Sequence, residues 1–164
     1  MVMLRIIIFL LLIIPAFGSA SAEKFVIVNK VLGKLFVKDG NDVVMEAPVC
    51  LGRGIGQKTR KGDHKTPEGV FKIVSVESSS GWTEDFKDGK GPRKGAYGPW
   101  FFRLNTPQST HIGIHGTCFP ESMGGRESDG CVRLRNEDLE QLKTHVGVGT
   151  QVLITRDPVD PDQP

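Results

Sequence analysis

Cys131 and His115 are the two side chains of this sequence best suited to covalent chemistry. Cys131 lies in Ser128-Asp129-Gly130-Cys131-Val132-Arg133-Leu134, between a glycine and an apolar residue followed by a cation. A free thiol, with a pKa near about 8.5, is mostly protonated at neutral pH, so a nucleophilic cysteine needs an imidazole to take or balance its proton. His115, in Ile114-His115-Gly116-Thr117, is the candidate base. Gly130, having no Cβ, lets a substrate carbonyl come close to the backbone beside the thiol. This combination reads as a reactive site and not as a structural staple.

The elements that must position these residues are mostly strands. Over residues 110–116, Ile112 and Ile114 alternate with His111, Gly113 and His115, which predicts a strand with the last three on one face. Residues 24–31, 34–38 and 43–51 are β-branched runs separated by turn signals at Leu32-Gly33 and 39–42, predicting a three-stranded meander. Residues 69–77, 100–104 and 151–155 read as further strands. Asn136 is placed to cap a helix through Leu139, Leu142 and Val146, with Glu137 and Asp138 complementing its dipole. Residues 52–64 form a Gly- and Lys-rich loop, and the basic stretch 58–65 reads as solvated. The polar, Gly-rich stretch 78–98 is longer than loops in compact domains usually are, and such loops tend to be functional. It is either a lid over a groove or a surface excursion whose Trp82 plugs the edge of the core.

Composition bounds the rest. The chain has 164 residues, with 21 Lys and Arg against 19 Asp and Glu. That balance lacks the clustered basic surface expected of a nucleic-acid partner. Residues 1–22 carry Arg5 as their only charge, an apolar run over 6–14 and Ala20-Ser21-Ala22, the pattern of a cleaved signal peptide. The run is shorter than a membrane span, so no stable anchor is expected after cleavage. Residues 23–156 then form one domain, and 157–164, rich in proline and aspartate, form a flexible tail. Three cysteines in an exported chain leave one unpaired. With Cys131 free for chemistry, Cys50 and Cys118 either pair or remain as small buried residues; a Cys118–Cys131 disulfide acting as an off switch is a further alternative.

Taken together, His115-Gly116-Thr117 and Ser128-x-Gly130-Cys131-Val132-Arg133-Leu134 resemble the signature of the L,D-transpeptidase catalytic domain, the YkuD-like family of peptidoglycan-modifying enzymes. Thr66-Pro67-Glu68-Gly69-Val70-Phe71-Lys72-Ile73 is similar to a second family stretch. Asn136-Glu137-Asp138-Leu139 and Gly149-Thr150-Gln151-Val152 resemble the segment that closes the domain. Four pieces in the family's order, over residues 24–155, are hard to obtain by chance. One departure stands out: many members carry a second histidine directly before the Gly-Cys pair, and this chain has Asp129. A carboxylate close to the sulfur would disfavour its ionisation; a solvated Asp129 pointing away would not.

The resemblance implies a mostly β domain, a sandwich or barrel of mixed strands with one or two short helices. It also implies cysteine acyl transfer on peptidoglycan stem tetrapeptides through a thioester, without a cofactor, in the periplasm or cell wall. Cys131 would be the nucleophile, His115 the base, and Gly116 the residue whose backbone orients the imidazole. Gly130 would contribute to the oxyanion site and Ser128 would shape the approach to Cys131. Arg133, two residues beyond Cys131 and so on the same side of an extended segment, could bind a stem carboxylate or form a structural ion pair. The acceptor would be a second stem peptide or a wall-attached protein. Alternatives are a hydrolytic member, an L,D-carboxypeptidase or amidase, and a non-catalytic wall-binding accessory protein. A zinc site from His111, His115, Cys118 and Cys131 has the ligand types but lacks the usual close cysteine pairs. A papain-like arrangement would place the cysteine before the histidine in the chain, the reverse of the order here. His111 reads as a strand residue, and His64 and His145 as surface residues.

Overall fold

The structure is a computed structural model that describes residues 23–157. The signal-peptide reading of 1–22, and all but the first residue of the tail, lie outside those residues. The strands are β1 (Phe25–Asn29), β2 (Lys34–Asp39), β3 (Asp42–Pro48), β4 (Leu51–Gly52), β5 (Gly69–Ser78), β6 (Thr83–Glu84), β7 (Arg93–Lys94), β8 (Trp100–Leu104), β9 (Gly113–His115), β10 (Arg126–Ser128), β11 (Val132–Arg133) and β12 (Gln151–Thr155). Among the described residues one α-helix, α1 (Asn136–His145), precedes β12, and one 3-10 turn (Pro120–Ser122) precedes β10.

Eight strands form one curled sheet in the order β11-β9-β8-β5-β12-β1-β2-β3. Alternation builds the core: Val26 and Val28, Leu35 and Val37, Met45 and Ala47, and Val152 and Ile154 all point to the same buried cluster. Leu139 and Leu142 of α1 are fully buried in that cluster, each burial worth about 1.5–3 kcal/mol. The domain is therefore mostly β with one helix, as expected. The meander β1-β2-β3 is antiparallel, but β1 pairs in parallel with β12, and β9 in parallel with β11.

Several sequence expectations are corrected by the fold. The predicted strand 43–51 breaks after Pro48; Cys50 instead exchanges two backbone hydrogen bonds with Arg133, at 2.9 Å each, and β4 pairs with β10. The strand predicted over 110–116 shortens to β9, leaving His111 outside it. Residues 78–98 contain the hairpin β6-β7, which the lack of an alternating apolar pattern had hidden. Asn136 does not cap α1. It is the first helical residue, Arg135 holds the cap position, and the Asn136 amide serves another segment. No disulfide forms: all three cysteines are free, and Cys50 is fully buried as a small core residue. Lys58 is not solvated. Its side chain is 2 % exposed and pairs with Asp63 at 2.7 Å.

Candidate active site

The parallel pairing of β11 with β9 sets Val132 beside Ile114 and Arg133 beside His115. This register brings Cys131, just before β11, to the part of the molecule where β9 presents His115. Both residues line one cavity of about 650 Å³, with Arg133, Ser128, Asp129, Tyr97 and His64 among its other walls. The Cys131 thiol donates to the His111 carbonyl at 3.3 Å. Burial pushes the thiol up to about 11, in spite of the Gly113 backbone and the Arg133 charge, which favour the thiolate.

His115 is buried, and its imidazole is fixed on all sides. Nδ1 donates to the Gly116 carbonyl at 2.6 Å, which leaves Nε2 as the lone-pair nitrogen. The Phe101 ring stacks on it at 5.4 Å and the Tyr97 ring lies against it at 4.9 Å. Burial, reinforced by the Arg133 charge, pushes the imidazole down to about 3. The resting pair is thus a neutral thiol with a neutral imidazole.

Gly116 is held by three neighbours. Its N–H donates to the Tyr97 carbonyl at 2.9 Å. A Cβ here would run into Asn136 Oδ1 and into the Gly98 Cα at 2.8 Å. Asn136 Oδ1 in turn accepts the Thr117 N–H at 3.0 Å. So α1, the loop before β8 and the end of β9 converge on the residue that holds the imidazole.

Around the thiol the backbone makes a tight turn. Gly130 has φ of +128°, and a Cβ there would meet the Lys65 carbonyl at 2.8 Å; glycine is required by conformation and by room. Ser128 Oγ donates to the Cys131 carbonyl at 2.6 Å and accepts the Gly130 N–H at 3.1 Å. The Gly130 amide is therefore engaged by Ser128 and is not a free oxyanion donor. Arg133 lines the cavity with its Nε buried and without a hydrogen-bond partner among the described residues. Its guanidinium lies 6.0 Å from the Phe86 ring centre, and no carboxylate pairs with it among the described residues.

Asp129 does not point away from everything. It is well exposed, yet it accepts from Arg53 and from His64 Nδ1, the latter at 2.7 Å. Partial burial pushes its carboxyl up, but Arg53 and His64 outweigh that and hold it below its ordinary value. Residues 84–87 and Tyr97 form one wall of the cavity, while Trp82 packs on Tyr97 and Phe101 at 5.6 and 5.5 Å. The long loop is at once a cavity wall and part of the aromatic cluster behind His115.

Sequence reasoning missed Tyr97, Phe101 and Glu84, whose carboxylate accepts the Tyr97 hydroxyl, and misread Asn136 and Lys58. Only Tyr97 carried a signal, as the single tyrosine of the chain beside Gly98. Among the described residues no three His, Cys, Asp or Glu side chains come together to hold a metal ion, so the zinc grouping of His111, His115, Cys118 and Cys131 is not formed.

Residues 23–154 match the model of the YkuD family, the L,D-transpeptidase catalytic domain. YqjB of Bacillus subtilis, which carries an L,D-transpeptidase name, is 32 % identical over 136 residues, covering 82 % of this chain and 73 % of that protein. YkuD of the same organism, named likewise, is 31 % identical over 116 residues, covering 71 % of this chain and 56 % of that one. Among solved structures, an L,D-transpeptidase from Mycobacterium smegmatis superposes with a TM-score of 0.62 at 19 % identity, covering 82 % of this chain and 59 % of that one. The catalytic domain of the Enterococcus faecium L,D-transpeptidase gives 0.58 at 21 % identity, covering 83 % and 99 %. The chain thus spans a little over half of some relatives and nearly all of an isolated catalytic domain. The fold, the family model and the B. subtilis relatives agree, and this chain belongs to the YkuD family of L,D-transpeptidase catalytic domains.

Proposed function

We propose that this domain is a peptidoglycan L,D-transpeptidase in which Cys131 Sγ attacks the carbonyl carbon of the third residue of a stem tetrapeptide. The C–N bond to the terminal D-alanine breaks as a thioester forms. The thiol proton passes to His115 Nε2 and on to the departing amine, so no charged imidazole has to persist in its buried site. With the Gly130 amide taken by Ser128, the oxyanion falls to the Cys131 amide and its neighbours. Loss of one such donor typically costs about 2.7–4 kcal/mol. Arg133, buried at Nε and unpaired by any carboxylate among the described residues, suits a stem carboxylate. An amine on a second stem, or on a wall-attached protein, then takes the acyl group. The signal-peptide pattern of residues 1–22 supports action in the periplasm or cell wall.

The observation that carries this reading is the one cavity lined by both Cys131 and His115, with His115 Nδ1 locked to Gly116 so that Nε2 keeps the lone pair. The test is incubation of the protein with disaccharide tetrapeptide, with products and intact enzyme followed by mass spectrometry. Released D-alanine and a thioester adduct are expected, both absent from Cys131→Ala. Cross-linked product marks transfer, and a trimmed tripeptide stem marks the hydrolytic alternative. A Cys131→Ala protein that still releases D-alanine would remove the cysteine from the mechanism.

A further inference from the structure

The cavity holds a second imidazole, and it is tied to a carboxylate. His64 comes from the loop between β4 and β5, far in sequence from the catalytic pair, and its Nδ1 lies 2.7 Å from Asp129, two residues before Cys131. With Nδ1–H donated to the carboxylate, Nε2 is the free lone pair. His64, Asp129, Cys131 and His115 all line the same cavity.

The placement is fixed and not a chance surface meeting. The His64 carbonyl accepts the Gly54 N–H at 2.8 Å, and a Cβ on Gly52 would meet that same carbonyl at 2.5 Å. The next residue, Lys65, packs its carbonyl against the bare Cα of Gly130. The preceding residue, Asp63, accepts the Thr59, Arg60 and Lys65 amides and pairs with the buried Lys58. His64 itself has φ of +54°, a conformation a non-glycine residue adopts only when its surroundings impose it. The loop is therefore bolted to the turn that carries the nucleophile.

One task would leave a lasting charge on the buried His115 imidazole. In thioester formation the proton balance closes internally, from thiol to imidazole to leaving amine. In the second half an acceptor amine arrives as an ammonium ion and must lose a proton before it can attack. We propose that His64, held by Asp129, is the group that takes this proton. The ammonium gives one proton to His64 Nε2, and the free amine attacks the thioester carbon. The C–S bond then breaks, and the second nitrogen proton returns through His115 to the sulfur. The His64 imidazolium, beside the Asp129 carboxylate, releases its proton to water through its half-exposed edge. The net change is thioester plus ammonium to amide, thiol and a solvent proton. The charged groups around His64 are Asp129 and Arg53, which share an ion pair, Lys61 on the same loop, and the Lys58–Asp63 pair next to it; Glu84, Asp85, Lys87 and Arg133 line the rest of the cavity. This step presupposes the Cys131 thioester proposed above.

The experiment separates the two halves of the reaction. Wild-type, His64→Gln and Asp129→Asn proteins are acylated with the disaccharide tetrapeptide. Decay of the thioester is then followed by intact mass at neutral pH with a lysine-type amine or with hydroxylamine, which is uncharged there. The proposal expects His64→Gln to slow decay with the charged amine on the order of 10²-fold. Hydroxylamine, which needs no such base, should restore decay to near the wild-type rate. Asp129→Asn, which keeps a hydrogen-bond partner but not the charge, should fall between. Equal slowing with both acceptors, or a matching loss in thioester formation, would mean that His64 acts only through the shape of the loop and would overturn the proposal. Unchanged decay in both variants would overturn it as well. A wild-type protein that forms no thioester sinks the cysteine mechanism and this step together, a result distinct from a thioester that turns over without regard to His64.

Discussion

At the scale of single residues, the cavity holds Cys131 and His115 uncharged. Burial drives the Cys131 thiol up to about 11 and the His115 imidazole down to about 3, so neither group carries charge near neutrality. Such a pair gains its reactivity only when a carbonyl is in place to receive the sulfur, because proton transfer and attack then occur together. The alkylation rate of Cys131 should therefore keep rising above about pH 10, where an ordinary thiol with pKa near about 8.5 has levelled off. Iodoacetamide labelling between pH 6 and pH 11, read on Cys131 by peptide mass spectrometry, measures this. A plateau near neutral pH would show a preformed thiolate instead. The Arg53–Asp129 ion pair moderates the same effect: Arg53 offsets part of the carboxylate charge, and what remains adds to burial in raising the thiol.

At the scale of elements, the site depends on contacts between segments that are distant in the chain. α1 contributes Leu139 and Leu142 to the core, and its first residue contributes Asn136 Oδ1 to the Thr117 amide. That amide follows directly on the Gly116 that holds His115. Asn136→Ala removes the acceptor and leaves a buried N–H unpaired, a loss of about 1–3 kcal/mol. Because the space beside Gly98 and Gly116 opens at the same time, the imidazole loses its fixed orientation. We expect lower denaturant stability by that amount together with a drop in turnover, and recovery of both in Asn136→Asp, which keeps the acceptor oxygen. If Asn136→Ala turned over normally, the coupling between helix and base would be disproved. The loop of residues 53–66 is anchored in a comparable way. Lys30, buried at the end of β1, donates to the Gly56 and Thr66 carbonyls at 2.9 and 2.6 Å and pairs with Glu68 at 2.7 Å.

At the scale of the whole molecule, an imidazole buried in neutral form affects the stability of the fold against acid. An imidazole in the unfolded chain titrates near about 6.5, while His115 in the folded domain titrates near about 3. Between these values the unfolded state binds the extra proton, so stability is full above about 6.5 and is lost as pH falls toward 3. The slope is about 1.4 kcal/mol per pH unit, or about 2 kcal/mol between pH 6.5 and pH 5. Urea denaturation of the wild type and of His115→Gln at pH 7 and pH 5 isolates this contribution, because the remaining titrating groups are common to both proteins. The wild type should lose about 2 kcal/mol more than the variant over that interval. Equal losses would show that His115 takes up its proton as readily in the folded domain as in the unfolded chain.

The sequence by itself determined the mostly β architecture, the positions of most strands and the helix over 136–145, because alternation and helical spacing are local patterns that a core enforces residue by residue. It also singled out Cys131, His115, Gly116, Gly130, Ser128 and Arg133 as a group, through short motifs whose order resembles a known family. It did not contain the register of β9 beside β11, which is a parallel pairing between separate segments and leaves no local trace. Only the tertiary structure decided that Asn136 serves Thr117 and not its own helix, that Lys58 is buried on Asp63, and that Gly130 makes room for the Lys65 carbonyl. It alone joined His64 to Asp129. A side chain's partner and its desolvation depend on which distant segments the sheet brings together, and those long-range choices set the charges of the site.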